Sequence, residues 1–180
     1  MDKYKPGLNR FIAIIIDGLI FIPLDWVHES IWGSNIPVYG FFVWAVFYSV
    51  SFVVYYVFMH VKFGQTIGKW ICKVKVVDYE SEKSINITQA ILRDIVPVLL
   101  VPYSIYSYTS GYAADPGVFS DPSNGFDLIV AMILLFWVFL ELITMLMNKK
   151  RRAVHDFIAG TVVIKVPNKP NSANRESTVI

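Results

Sequence analysis

One cysteine in 180 residues, Cys72, is all the thiol chemistry the sequence holds. A lone cysteine allows no internal disulfide and no CxxC pair, which excludes a disulfide-stapled secreted domain, a cysteine-built zinc site and a redox dithiol. Charge is scarce too: Asp, Glu, Lys and Arg make up 17% of the chain, against about 25% in soluble domains. Hydrophobic residues reach 55% and aromatics 16%, with a mean hydropathy of +0.51. So little polar surface cannot cover the apolar mass in water, and the surplus requires lipid. Disordered and collagen-like classes are excluded with it. No nucleophile with its base, metal cluster or cofactor loop stands out, so neither an enzyme, a metal, a cofactor nor a nucleic-acid partner is expected.

Crossing a hydrocarbon core of ~30 Å takes about 20 mostly apolar helical residues, and four stretches are long enough. The first runs from Leu8 to Val27 with Asp17 inside it, and the second, Pro37 to Met59, has no charged residue. The third, Ala90 to Tyr108, opens on Arg93 and Asp94 and contains Pro97 and Pro102. The fourth, Phe126 to Met147, is interrupted by Asp127 and Glu141. The first segment reads as a retained helix, because Asp17 splits its apolar run and no small-residue cleavage site follows. Its Leu, Ile, Phe and Val residues, at about −0.3 to −0.6 kcal/mol each, offset roughly +3 kcal/mol for a central Asp. Insertion is feasible, whereas lipid exposure of Asp17 is not. All sixteen Lys and Arg fall in three places: Lys3, Lys5 and Arg10, then Lys62 to Arg93, then Lys149 onward. The positive-inside rule then predicts an all-α membrane protein of four transmembrane helices with both termini cytoplasmic.

Between Val61 and Gln89 the composition turns polar. Lys73 to Asp78 alternates like a half-buried strand, Ile85 to Thr88 looks like a short partner, and Thr161 to Val166 has the same character. A small cytoplasmic β element is expected between the second and third helices and after the fourth. Gln65 to Cys72 suggests a short helix on the inner membrane surface, with Trp70 at headgroup depth and Lys69 and Lys73 toward lipid phosphates. Lys149 to Arg152 reads as a topology anchor touching anionic lipids. The loop from Tyr108 to Gly125 is long enough to fold over the bundle. Gly64 to Lys69 is one residue short of a phosphate-binding loop, and its GxxxG spacing lies outside any long apolar run. The ten aromatics of the second segment suit lipid-facing and interhelical packing.

Ionisable groups inside a membrane are the first candidates for function. Asp17 lies seven residues beyond Arg10, about 10 Å deeper and, after about 700° of rotation, on nearly the same face. Glu141, six residues before Met147, reaches roughly 9 Å from the same surface. The two carboxylates can therefore share a layer, where one would tend to hold a proton, as proton-coupled ion exchange requires. The alternative is that each is neutral or paired and serves packing. Arg10, Arg93, Asp94, His155 and Asp156 gather at the inner interface, either as a salt-bridged gate or as an ion-pair cluster pinning the cytoplasmic segment to the helix ends.

With Arg10 opening the first helix, Asp17 in its middle, FGQTIGKWICKVKVVD at 63–78, ITQAILRDIVP at 87–97 and AVHDFIAGTVVIKV at 153–166, the chain resembles the RDD family of bacterial membrane proteins. The resemblance covers nearly the whole chain and maps the Arg and two Asp of the family's name onto Arg10, Asp17 and Asp156. It implies an RDD-like transmembrane domain over 1–166, placed in the bacterial cytoplasmic membrane and acting in transport, with sodium/proton antiport among its members' activities. Residues 167–180 then form a polar, flexible tail. Two functions stay open. One is a monovalent cation/proton exchanger that uses Asp17 and Glu141 and, having few helices for alternating access, works as a homo-oligomer. The other is a non-transporting membrane scaffold that binds a partner protein.

Overall fold

The structure, a computed structural model, describes residues 2–4, 7–115 and 125–166. The expected flexible tail at 167–180 lies outside these. Helix α1 (Gly7–Trp32) and helix α2 (Val38–Phe63) each run 26 residues, about 39 Å at 1.5 Å per residue and enough to cross a bilayer core. Tyr112 Oη closes the turn between them, lying 2.5 Å from Ser34 O and accepting from Ile36 N at 3.1 Å. Its ring stacks on Phe41 at 3.9 Å in a cluster with Trp32 and Ala45. Helix α2 stops at Gly64, whose φ of +67° and whose neighbours, Val76 O and Lys75 Cε at 2.8 Å from an added Cβ, admit no side chain.

After α2 the chain makes the short helix α3 (Ile67–Ile71) and strand β1 (Val74–Asp78). Strand β2 (Thr161–Lys165) returns antiparallel to β1 in the register Val74 to Lys165 through Asp78 to Thr161. Ile85, where a third strand was expected, is instead buried with Val74, Val76, Ala90 and Val163. The residues that follow it begin helix α4 (Ile87–Arg93). Asn86 Oδ1 accepts from Gln89 N and Gln89 Oε1 from Asn86 N, a reciprocal cap that outweighs the β-branched character of Ile85 to Thr88.

The third apolar segment is not one straight helix. It breaks at Asp94, and α5 (Ile95–Ala114) leaves α4 at 64°. Pro97 has no N–H to offer the Arg93 carbonyl, so the helix cannot continue smoothly past that point. Because α5 extends to Ala114, the first seven residues of the expected outer loop are helical, and residues 116–124 lie outside the described set. Helix α6 (Gly125–Met147) packs on helix α7 (Val154–Ile158) and is tied to α5 by a hydrogen bond from Tyr103 to Asp127. Three helices are long and apolar enough to span a membrane, four when the bent α4–α5 pair counts as one span. The β ribbon, α3, α4 and α7 gather at one end of the bundle, here called the basic end.

Candidate functional site

Helix α3 is held against α1 by Asp17. A helix start leaves orphan N–H groups, and those of the first three residues of α3 find acceptors. Ile67 N–H goes to Tyr55 Oη at 3.1 Å, Gly68 N–H to Asp17 Oδ1 at 2.8 Å and Lys69 N–H to the N-cap Thr66 Oγ1 at 3.3 Å. Asp17 also accepts from Thr66 Oγ1 at 2.6 Å and Tyr55 Oη at 3.0 Å, and is 1% exposed. Position 68 must be glycine for this contact, since a Cβ there would sit 2.2 Å from Ala13 O.

Asp156 is the centre of a second cluster and is wholly buried. As the third residue of α7 it accepts from Ala153 N at 3.0 Å, capping its own helix. Arg10 Nη2 donates to the same oxygen, Oδ2, at 2.8 Å, Arg93 donates to Oδ1, and Thr161 Oγ1 donates to Oδ1 at 3.2 Å. Burial by itself would raise this carboxyl, but the Arg10 and Arg93 guanidiniums hold it well below the usual carboxylate range. Arg152 closes the cluster, donating to Thr161 O at 2.9 Å and Asp156 O at 2.8 Å. It is buried rather than free for lipid, so Arg152 does not do what the Lys149 to Arg152 string suggested.

Of the residues singled out in sequence, Arg10, Arg93, His155 and Asp156 come together. His155 Nε2 is 3.4 Å from Arg10 Nη2 and 3.6 Å from Asp156 Oδ1. Burial and Arg93 push His155 below its ordinary value, against the pull of Asp156 and Glu141. Asp94 goes elsewhere: its Oδ2 is 3.0 Å from His60 Nδ1, and His60 Nε2 is 2.9 Å from Lys69 Nζ. Lys69 is therefore buried inside the protein and does not face lipid phosphates as its sequence position suggested. Among the described residues Glu141 shares no hydrogen-bond partner with Asp17. It receives His155 N at 3.2 Å, and its Oε2 lies 2.7 Å from His155 Nδ1 at ion-pair distance without hydrogen-bond alignment.

The RDD family model matches residues 4–160, from the 3-10 turn at Asp2–Tyr4 to the turn before β2. The chain belongs to the RDD family. RDD proteins are membrane proteins, and the apolar helices make this one a multi-pass member. The matched stretch includes Arg10, Asp17 and Asp156, the residues around which both clusters are built. No curated protein and no solved structure matches the chain. Sequence reading gives other roles to Thr66, Gly68, Tyr55, Arg152 and Thr161, as parts of a failed phosphate loop, a packing face, a lipid anchor and a strand, and does not single out His60. Two signals pointed to some of them: Thr66 is an N-cap residue type ahead of a short helix, and His60 is a histidine inside the apolar α2 run.

Proposed function

We propose that this RDD protein exchanges monovalent cations for protons across the bacterial inner membrane, as a four-span bundle whose basic end and both termini face the cytoplasm. The observation that carries the reading is the buried charge at that end. Arg10, Asp17, Lys69, Arg93 and Asp156 are buried there and Asp94 is mostly covered, although apolar residues of similar volume would hold a fold as well or better. Ionisable groups retained inside a membrane bundle mark ion and proton routes. Asp17 is held by three donors inside the bundle, and Glu141 with the part-exposed His155 lines the cytoplasmic entry. Exposed Lys62, Lys149 and Trp70 meet anionic lipid at the inner surface.

Four spans give little room for alternating access, so the reading includes a homo-oligomer built through α6, whose most apolar window buries none of its residues. The test is purified protein in liposomes loaded with a pH-sensitive dye. Imposed sodium, potassium or lithium gradients should drive proton movement. No flux with any of the three cations overturns transport. The exposed α6 also favours a second reading, a membrane scaffold that seats a partner helix, which a partner copurifying at fixed stoichiometry without flux would support.

A further inference from the structure

Between Arg10 and Lys62, and again between Arg93 and Lys149, the sequence contains no Lys or Arg. The far half of the bundle therefore has no fixed cation, yet Asp25 sits there, seven residues before the end of α1 at Trp32 and about 10 Å inside it at 1.5 Å per residue. Asp17, Asp94 and Asp156 are each occupied, by three donors, by His60 and by two guanidiniums. Asp25 differs. Among the described residues its one hydrogen bond comes from Tyr48 Oη to Oδ1 at 2.8 Å, so Oδ2 has none, and the side chain is partly exposed. The ionisable groups around it are His28 and Glu29 on α1, Tyr48 on α2 and Tyr108 on α5. A second observation lies one turn beyond Asp25. His28 is 4% exposed and stacks on Tyr48 at 4.1 Å, beside Tyr108 at 5.0 Å. Trp44 Nε1, which can only donate, gives its hydrogen to His28 Nδ1 at 3.0 Å. The imidazole proton is then on Nε2, and that buried donor has no acceptor among the described residues. Ser49 Oγ and Thr109 Oγ1, next in sequence to Tyr48 and Tyr108, are likewise buried without a partner. Buried polar groups that the protein leaves unpaired mark places where solvent or an ion completes them.

We propose that Asp25 is the outer loading site of the exchanger, where a proton and a monovalent cation compete for the free carboxylate oxygen. The proposal rests on the transport reading above and supplies the outer counterpart of Glu141 and His155. Tyr48 holds Oδ1 and fixes the carboxylate. His28 Nε2–H donates to an oxygen of the hydration shell that the cation keeps, and the imidazole stays neutral because Nδ1 is held by Trp44. With the cation bound, Asp25 is half of an ion pair. When a proton arrives, an O–H bond forms on Oδ2 and the cation leaves, so the site alternates between two states without net charge and never carries an uncompensated carboxylate. The described segments at this end carry Asp25, Glu29, Asp115 and Asp127 and no Lys or Arg, a single sign of charge that raises the local concentration of cations.

The full chain in lipid nanodiscs, carrying carbon-13 at the aspartate carboxyls, is titrated by NMR in sodium, potassium or lithium chloride and in N-methylglucamine chloride of equal ionic strength. The Asp25 signal is the one missing from Asp25→Asn, whose amide oxygen still accepts from Tyr48. Once the cation saturates the site, each tenfold rise in its concentration should lower the Asp25 midpoint by about one pH unit, as one-for-one competition requires. His28→Phe, which keeps a ring against Tyr48 and loses the donor, should need about tenfold more cation for the same shift. A midpoint that moves no further in any of the three salts than in N-methylglucamine overturns the proposal. In liposomes a folded Asp25→Asn should lose proton-coupled flux on the order of 100-fold, while Asp25→Glu, which keeps the carboxylate, retains it. Unaltered flux through Asp25→Asn overturns the loading site and leaves transport intact. Cation competition at Asp25 without any wild-type flux leaves the site standing and removes transport.

Discussion

Asp156 faces two guanidiniums, so deleting it and deleting either arginine are unequal insults. Asp156→Asn strands Arg10 and Arg93 together and should cost about 3 to 5 kcal/mol. Arg10→Met leaves the Arg93 and Thr161 bonds in place and should cost less, about 1 to 3 kcal/mol. In the double variant the losses should not add, because the second change removes a partner already lost. Strictly additive melting shifts would show that the Arg10–Asp156 contact does not form. Acid probes the same group. Its folded carboxyl is held well below the ordinary 3.8, so its stabilisation is complete above about pH 4 and drains away as pH falls toward the folded value. Thermal melts in detergent should therefore show the gap between wild type and Asp156→Asn narrowing below about pH 4. An equal gap at neutral and acid pH would contradict the assignment.

Among the elements, the short α3 is held by partners distant in sequence. Gly68→Ala drives a Cβ into the Ala13 carbonyl, a backbone atom that cannot swing aside, and should cost about 1 to 3 kcal/mol or more. Asn86→Ala, which removes the cap of α4, should cost about 1 kcal/mol. A Gly68→Ala protein that melts like wild type would mean that α3 does not pack as closely on α1. These elements also mark how far the sequence could be read. The spans were legible because an apolar run of bilayer length has few other uses, and β1 and β2 were legible from alternation. Asn86 and Gln89 spelled out a helix start in plain view, but the β-branched residues around them were given more weight. The anchoring of Asp17 was not legible: Thr66 and Gly68 lie 49 and 51 residues away, and only the fold brings them to it. GQTIGK resembles a phosphate loop and a dimer seam, neither of which predicts a glycine whose missing side chain admits a neighbouring helix. Lys69 was placed by composition, since lysines near a membrane usually face phosphates, and burial beside His60 reversed that.

For the whole molecule, sidedness is the first thing to measure. In a chain with Cys72 replaced by serine, a cysteine at the exposed Ser110 on α5 should react with an impermeant reagent added outside intact cells. One at the exposed Lys83 should react only after lysis. The reverse pattern would invert the bundle and with it the proposed cytoplasmic entry. The pairing of β1 with β2 bears on biogenesis as well. Synthesis runs from the N-terminus, so Arg10, Arg93 and the β1 edge all emerge before residues 154–165 exist. Until then two arginines lack their shared carboxylate and a strand edge stays open to other chains. The segment 154–165 thus acts as a latch, and shorter products are incomplete at the end where the charges meet. Chains stopped at Ala153 should insert into membranes yet be degraded or aggregate, which pulse-chase labelling can follow. Equal lifetimes for the stopped and full-length chains would mean that the bundle sets before the latch arrives.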